Sequence, residues 1–427
     1  MIKPKSGYKI AKLLYQTHIQ IPEKWDVVIG ENLFKLSSGV SPSEIIFADD
    51  GNCLFVQVDD MNTSKNKNEI VTSKLKFNNN ENQKITVSET ERIVFPKRGA
   101  AILGNKVRKL AKKSTVDPNI MMLDCNDSII PNFLYYFLSY LKLSNLMESA
   151  GIPQLNNKDL YPRNFLRPSV PEQKKISTIL SNVDNLISSY NTIIETTKKL
   201  KTGLMQTLLI KGIGHKKFKK VKWFFGKESE IPSDWDYPKF SEVIKVNPPT
   251  KIEETTVPYI PMDAVDISKP HFNYFEERKL SDFSSLPKFQ ENDVLFASIT
   301  PSTENGKTCI IENFSRKGMG SSELTVLRPT DKVIPKYLYY YVKNHRIRQF
   351  TISQMMGTTG RQRVPDYVFK KDLNFELPSL SEQQKIVTIL NTVDDKISEL
   401  ESKKLYHETL KIGLMQKLLT GQMSVTA

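Results

Sequence analysis

The chain has 427 residues, 39% hydrophobic and 25% charged, proportions that exclude a disordered protein and allow two or three cores. Lys and Arg outnumber Asp and Glu by 61 to 47, a formal charge of +14 that favours a polyanionic partner. Cys53, Cys125 and Cys309 are odd in number and far apart, the five histidines are scattered, and no 18-residue apolar run occurs; no disulfide framework, metal, cofactor or membrane span is expected, and the protein reads as cytoplasmic.

In chain order, residues 1–20 carry no strong motif and are expected either to pack near the C-terminus or to be mobile. Ile21-Pro22-x-x-Trp25-Asp26 opens a first unit whose β-rich runs include Asn52–Val58 and Arg92–Phe95, separated by turn residues. Ile130-Pro131-x-x-Leu134-Tyr135-Tyr136 predicts a core helix with proline at its first position. Its tyrosines fit packing better than base stacking. From Pro168 a long helix follows, with Ile176, Leu180, Val183, Ile187, Tyr190, Ile194, Thr197, Lys201, Leu204 and Leu208 alternating by four and three as a heptad seam does.

Much of this then recurs 210 residues later. Glu172-Gln173-x-Lys175-Ile176 returns as Glu382-Gln383-x-Lys385-Ile386, Val183-Asp184 as Val393-Asp394, and Leu200-Lys201-x-Gly203-Leu204-Met205-Gln206 as Leu410-Lys411-x-Gly413-Leu414-Met415-Gln416. The opening motif returns as Ile231-Pro232-x-x-Trp235-Asp236, and the core helix as Ile334-Pro335-x-x-Leu338-Tyr339-Tyr340 at an offset of 204. The second seam, from Ile386 to Leu400, continues onto Lys404, His407 and Lys411.

The expected divisions are residues 1–20, a recognition unit at 21–165, a helical spacer at 166–212, a linker at 213–230, a second recognition unit at 231–376 and a second spacer at 377–427. The expected fold class is α+β: two mixed α/β domains joined by two long antiparallel coiled-coil helices in a pseudo-two-fold repeat. Helices of about 38 residues run roughly 57 Å at 1.5 Å per residue. Two heads on such a frame suit duplex DNA, with roughly 17 base pairs at most between them.

Three stretches mimic catalytic motifs. Asn247-Pro248-Pro249-Thr250 resembles an amino-methyltransferase tetrapeptide but lacks the aromatic that would stack on a flipped base. Gly306-Lys307-Thr308 resembles the end of a phosphate-binding loop, yet Pro301 stands where its first glycine belongs. Pro365-Asp366 lacks the downstream acid-x-Lys of a metal nuclease, since Glu376 is followed by Leu377 and Pro378.

The doubled Pro-Ser-x-x-Glu-Gln-x-Lys-Ile helix closing into Lys-x-Gly-Leu-Met-Gln-x-Leu-Leu, each time after an Ile-Pro-x-x-Trp-Asp unit, resembles the specificity subunit of Type I DNA restriction-modification enzymes. The resemblance covers essentially the whole chain from about Ile21, and departs from the family in carrying Pro-Ser where a double proline is familiar. It implies two target-recognition domains reading the halves of a split DNA sequence and helices that fix the spacer and dock two methyltransferase subunits. Those subunits carry S-adenosylmethionine, a restriction subunit supplies ATP-driven cleavage, and the specificity subunit has no active site or cofactor of its own. The competing readings are a stand-alone nucleic-acid enzyme and a coiled-coil protein adaptor.

A DNA reader needs Lys and Arg for phosphates and Arg, Lys, Asn, Gln or hydroxyls on loops for base edges. In the first head these are Lys97, Arg98, the basic run Lys106, Arg108, Lys109, Lys112 and Lys113, and then Gln154, Asn156 and Asn157. In the second they are Ser298, Thr300, Thr303, Asn305 and Lys307, with the turn Gly357–Arg363 contributing Arg361, Gln362 and Arg363.

Overall fold

The computed structural model describes residues 4–13, 18–147, 153–224, 227–283, 285–358 and 360–425. Parts of the N-terminal segment, residues 1–3 and 14–17, and Thr359 of the Gly357–Arg363 turn lie outside them. The chain forms two compact units, one made of residues 1–191 and 402–427, the other of residues 192–401.

In the first unit β1 (Tyr8–Lys12) and β2 (His18–Pro22) pair as an antiparallel hairpin. After β3 (Asp26–Ile29), the strands β4 (Phe34–Ser38), β5 (Cys53–Val56), β6 (Glu69–Ile70), β7 (Leu75–Phe77), β8 (Ile93–Pro96), β9 (Arg108–Leu110), β10 (Ser114–Val116) and β11 (Ile120–Cys125) follow. They build a five-stranded sheet, β4-β11-β8-β9-β6, and a three-stranded one, β10-β5-β7. Helix α1 (Pro131–Leu141), the single turn α2 (Asn157–Leu160) and β12 (Asn164–Arg167), which pairs with β3, lead into the long helix α3 (Val170–Lys211).

The second unit repeats this plan. A hairpin of β13 (Phe218–Lys222) and β14 (Glu228–Pro232) precedes the turn α4 (Phe240–Val243), then β15 (Ile244–Val246), β16 (Thr256–Ile260), β17 (Glu276–Lys279), β18 (Lys288–Phe289), β19 (Val294–Ala297), β20 (Thr308–Ile310), β21 (Gly318–Gly320) and β22 (Leu324–Pro329). Two four-stranded sheets result, β15-β22-β19-β20 and β17-β16-β21-β18. Helices α5 (Pro335–Lys343), α6 (His345–Ser353) and the long α7 (Leu380–Leu419) complete it.

Backbone pairing reveals equivalences that side chains conceal. Ile93 pairs with Leu123 and Lys109 in the first unit as Val294 pairs with Leu327 and Ile310 in the second. The hairpin register Tyr8↔Pro22 to Lys12↔His18 is that of Phe218↔Pro232 to Lys222↔Glu228, shifted by 210. The repeat therefore begins at Tyr8, thirteen residues before the opening motif, and the Tyr8 hydroxyl donates to the Gly421 carbonyl at 3.1 Å.

Each unit's core takes the start of one long helix and the end of the other. Ile176, Leu180, Met415, Leu418 and Leu419 pack with Phe133, Leu134, Phe137 and Leu138 of α1. Leu208, Leu209, Ile386, Val387 and Leu390 pack with Tyr337, Leu338 and Tyr341 of α5. Within each unit the two helices are therefore antiparallel. Each fully buried Leu or Ile here contributes roughly 1.5–3 kcal/mol. Every seam position from Ile176 to Leu208, and Lys404, His407 and Lys411 in α7, is buried or half-buried. The polar seam residues find partners suited to them: the His407 ring lies 5.4 Å from Tyr190, and Lys411 reaches Asp184 at 2.6 Å.

The repeated motifs are the joints between head and helix. The Trp25 indole donates to Glu172 Oε2 at 3.0 Å, and Trp235 to Glu382 Oε2 at 2.9 Å. Gln173 Oε1 accepts from the Ile130 backbone at 2.7 Å, and Gln383 Oε1 from that of Ile334 at 2.8 Å, so the glutamine side chain caps the approach to α1 or α5. Gly212, just past α3, and Gly421, two residues past α7, have φ values of 65° and 69° that favour glycine. A Cβ on Gly212 would come 2.4 Å from Glu382 Oε1, and one on Gly421 would come 2.2 Å from Pro22.

Candidate nucleic-acid interface

In both units the segment leaving the central strand crosses the segment that leads back towards the long helix. Leu155 N donates to Lys97 O and Gly99 N to Pro153 O, with Arg98 bridged to Gln154. Val364 N donates to Ser298 O and Thr300 N to Gln362 O, with Ile299 bridged to Arg363. The crossing therefore sets Lys97, Arg98 and Gln154 beside one another in the first head, and Thr300, Gln362 and Arg363 in the second. Gln154 and Arg363 occupy equivalent positions.

Beyond the crossing, a loop returns to β9 or β20. Lys106 and Lys307 are equivalent there, and each turns back onto a helical turn, Lys106 to Asn62 Oδ1 and Lys307 to the Met262 carbonyl at 3.0 Å. Nothing in the sequence marks Asn62 and Met262 as partners, because one receptor is a side chain and the other a backbone carbonyl.

The exposed members of the expected set are Arg98, Lys112, Lys113, Asn157, Asn305, Arg361 and Arg363, with Lys97, Lys106, Gln154, Asn156, Thr300, Lys307 and Gln362 half-buried. Arg361 and Arg363 follow a turn in which Gly357 has φ 126° and Gly360 φ 82°. A Cβ on Gly357 would stand 2.8 Å from the Arg361 carbonyl, so this turn needs glycine there. Lys97 donates to Ser38 Oγ at 2.7 Å; partial burial and then the neighbouring Arg98 hold its ammonium below the usual lysine range, against the pull of Asp117. Gln154 Nε2 donates to Asn156 Oδ1 at 3.0 Å, and the Asn156 backbone donates to Asp159 at 2.8 Å, so both brace the start of α2.

Four of the expected DNA-binding side chains are instead engaged inside the fold. Arg108 donates to the carbonyls of Asn66, Val107 and Met61 at 2.7, 2.8 and 3.3 Å, and burial lowers its pKa. Lys109 pairs with Glu69 at 2.7 Å and Asn132 at 2.5 Å. The basic run from Lys106 to Lys113 is thus not one surface, because Arg108 and Lys109, successive residues of β9 and so on opposite faces of the sheet, are each tied to partners within the fold. The Ser298 and Thr303 hydroxyls are buried and donate to the carbonyls of Glu323 and Ala297 at 3.0 and 2.9 Å.

The three motif mimics also resolve into structure. Asn247 donates to Asp366 at 2.9 Å, so the Asn-Pro-Pro and Pro-Asp stretches hold each other. Around Gly306 the amides of Thr303, Asn305, Gly306 and Lys307 donate to Ile299, Pro301, Thr303 and Ser302, leaving none of the four to cradle a phosphate. Among the described residues no cluster of His, Cys, Asp and Glu could hold a metal ion, and no helix is long and apolar enough to cross a membrane.

The family described as the Type I restriction modification DNA specificity domain matches residues 22–199 and again 232–407. The chain belongs to this family. It is 24% identical over 95% of both chains to the Type I restriction enzyme MjaVIII specificity subunit of Methanocaldococcus jannaschii. To the putative MjaX specificity subunit of the same organism it is 28% identical over 72% of each. Its fold matches a chain solved in a study of complex assembly and conformational transition of the type I R-M system, with a TM-score of 0.59 at 14% identity, covering 94% of this chain and 99% of that one. It also matches the S subunit of a Type I restriction-modification system from M. genitalium, with a TM-score of 0.53 at 14% identity, covering 92% and 96%. The fold class is thereby a mixed α/β specificity fold with two copies of one domain and long paired helices.

Proposed function

We propose that the chain is the non-catalytic DNA-reading subunit of a Type I restriction-modification complex. One head reads each half of a split site, the paired helices set the spacer, and the helices dock two methyltransferase subunits, with restriction subunits joining for cleavage. The observation that carries this reading is the crossing shared by the two units, built on matching backbone bonds but armed with different side chains. Arg98 and Gln154 stand in one head where Ile299 and Arg363 stand in the other. A common frame with unlike side chains suits two unlike half-sites. Arg98, Gln154, Asn305, Arg361, Gln362 and Arg363 are assigned to base edges, and Lys97, Lys106, Lys112, Lys113 and Lys307 to phosphates. Asn157 and Thr300 lie beside the readers, while Asn156 positions Gln154.

The test is co-expression with methyltransferase subunits and mapping of N6-methyladenine along the host genome. A split, asymmetric motif is expected, and an unsplit motif would overturn the reading. Tight binding of labelled S-adenosylmethionine by the purified chain alone would point instead to a stand-alone enzyme.

A further inference from the structure

Two polar triads stand where the long helices meet, one in each unit. In the first, Lys411 of α7 donates to Asp184 Oδ1 of α3 at 2.6 Å, and the Tyr136 hydroxyl of α1 donates to Asp184 Oδ2 at 2.8 Å. In the second, Lys201 of α3 donates to Asp394 Oδ1 of α7 at 2.5 Å, and the Tyr340 hydroxyl of α5 donates to Asp394 Oδ2 at 2.7 Å. The helices exchange roles, since Lys201 and Lys411, and likewise Asp184 and Asp394, are 210 apart. Each ammonium also lies over the ring of its tyrosine, at 5.5 Å for Lys411 and 5.4 Å for Lys201.

Three elements thus converge on one carboxylate in a setting that is mostly apolar. The lysine side chains are 20% and 16% exposed and the aspartates 11% and 21%, so solvent screens the pairs only weakly. Apolar seam residues tolerate several registers, because one buried Leu replaces another at little cost. These lysines do not. Sliding α3 against α7 by one seam step would carry Lys201 from Asp394 towards Leu390 or Ile397, and Lys411 from Asp184 towards Leu180 or Ile187, all four buried. A buried ammonium without its counterion is expensive, so misaligned registers are penalised. The tyrosine binds each head to the same carboxylate, so head and register are pinned together.

We propose that Lys201–Asp394–Tyr340 and Lys411–Asp184–Tyr136 are positioning residues that fix the register of the helix pair and thereby the spacer length the complex accepts. This rests on the reading of the chain as a DNA specificity subunit with the helices as its spacer. The test uses the complex with methyltransferase subunits and duplexes carrying the mapped half-sites at the native spacer and at one base pair more or less. Replacing both lysines, Lys201→Leu with Lys411→Leu, removes the two ammonium groups that penalise a slipped register, while each aspartate keeps its tyrosine donor. The ratio of methylation at native to altered spacers is expected to fall at least about tenfold, with half-site sequence preference retained.

Exchanging the charges of one pair in the otherwise unchanged chain, Lys201→Asp with Asp394→Lys, should keep most of the wild-type ratio. A double-leucine complex that assembles, methylates and keeps the wild-type ratio overturns the proposal. Should that variant fail to fold, Lys201→Leu alone keeps the first triad; an intermediate ratio supports the proposal and an unchanged one overturns it. A wild-type complex that methylates no split site sinks the underlying reading instead.

Discussion

At the scale of single residues, the two head joints look alike but are not equally satisfied. Glu382 Oε1 accepts from the Ile213 backbone at 2.9 Å and lies 2.8 Å from His215 Nε2, whereas Glu172 Oε1 is buried and has no hydrogen-bond partner among the described residues. Glu172 depends on Trp25 and on Lys24, whose Nζ is 3.5 Å from Oε2. Trp25→Phe should therefore cost about 1–3 kcal/mol and Trp235→Phe distinctly less, because Glu382 keeps Ile213 and His215 while Glu172 is left with Lys24 alone among the described residues. Urea unfolding of the two variants checks this, and equal losses would contradict it. Among the readers, Arg361→Ala or Arg363→Ala should cost about 1–3 kcal/mol on the cognate site and relax one position of the motif. Equal losses on cognate and random duplexes would remove them from the set. Lys109→Ala, by contrast, breaks the bonds to Glu69 and Asn132 and should lower the melting temperature more than it weakens DNA binding.

At the scale of elements, α1 and α5 carry tyrosines that folding keeps protonated to a higher pH than the unfolded chain does. Burial first, then nearby carboxylates, raise the pKa of Tyr136 beside Asp184, Tyr340 beside Asp394, and Tyr337 and Tyr341 beside Glu376. The folded values lie above an unfolded value of about 10, so this stability is complete below about pH 10 and is lost as pH rises beyond it. The urea midpoint should fall from about pH 10 upward, with tyrosinate absorbance growing in step with unfolding. An unchanged midpoint up to about pH 12 would contradict it. The long helices were legible from their seam alone, since the ten seam positions from Ile176 to Leu208 are all at least half-buried. The N-terminal hairpin was not. Its signal is short: Lys9 and Lys12 recur as Lys219 and Lys222, but Ile10 is replaced by Lys220 and His18 by Glu228 in the second copy.

At the scale of the whole molecule, the excess of basic residues has a direct consequence. Affinity for any duplex should fall steeply with salt, and replacing Lys112 or Lys113 by alanine should lower the slope of log K against log salt by about one for each phosphate that is no longer neutralised. Slopes unchanged by both substitutions would exclude that pair from the interface. The scale of the repeat also explains what the sequence revealed. Trp25 and Glu172, Ile130 and Gln173, Tyr136 and Asp184 are the residues that recur, and they are the ones that bond head to helix in both units. The crossings were hidden because loop lengths differ: Arg98 matches Ile299 at an offset of 201, while Gln154 matches Arg363 at 209. Residue type alone proposed the readers, and it could not separate Arg361, which faces solvent, from Arg108, which holds up the sheet.

The turn from Gly357 to Arg363 illustrates what this division permits. Its arginines are exposed, so new side chains can be tried there without rebuilding the core. On the proposed reading, each such exchange alters one letter of the vocabulary while the grammar, the interval between words, is inherited unchanged.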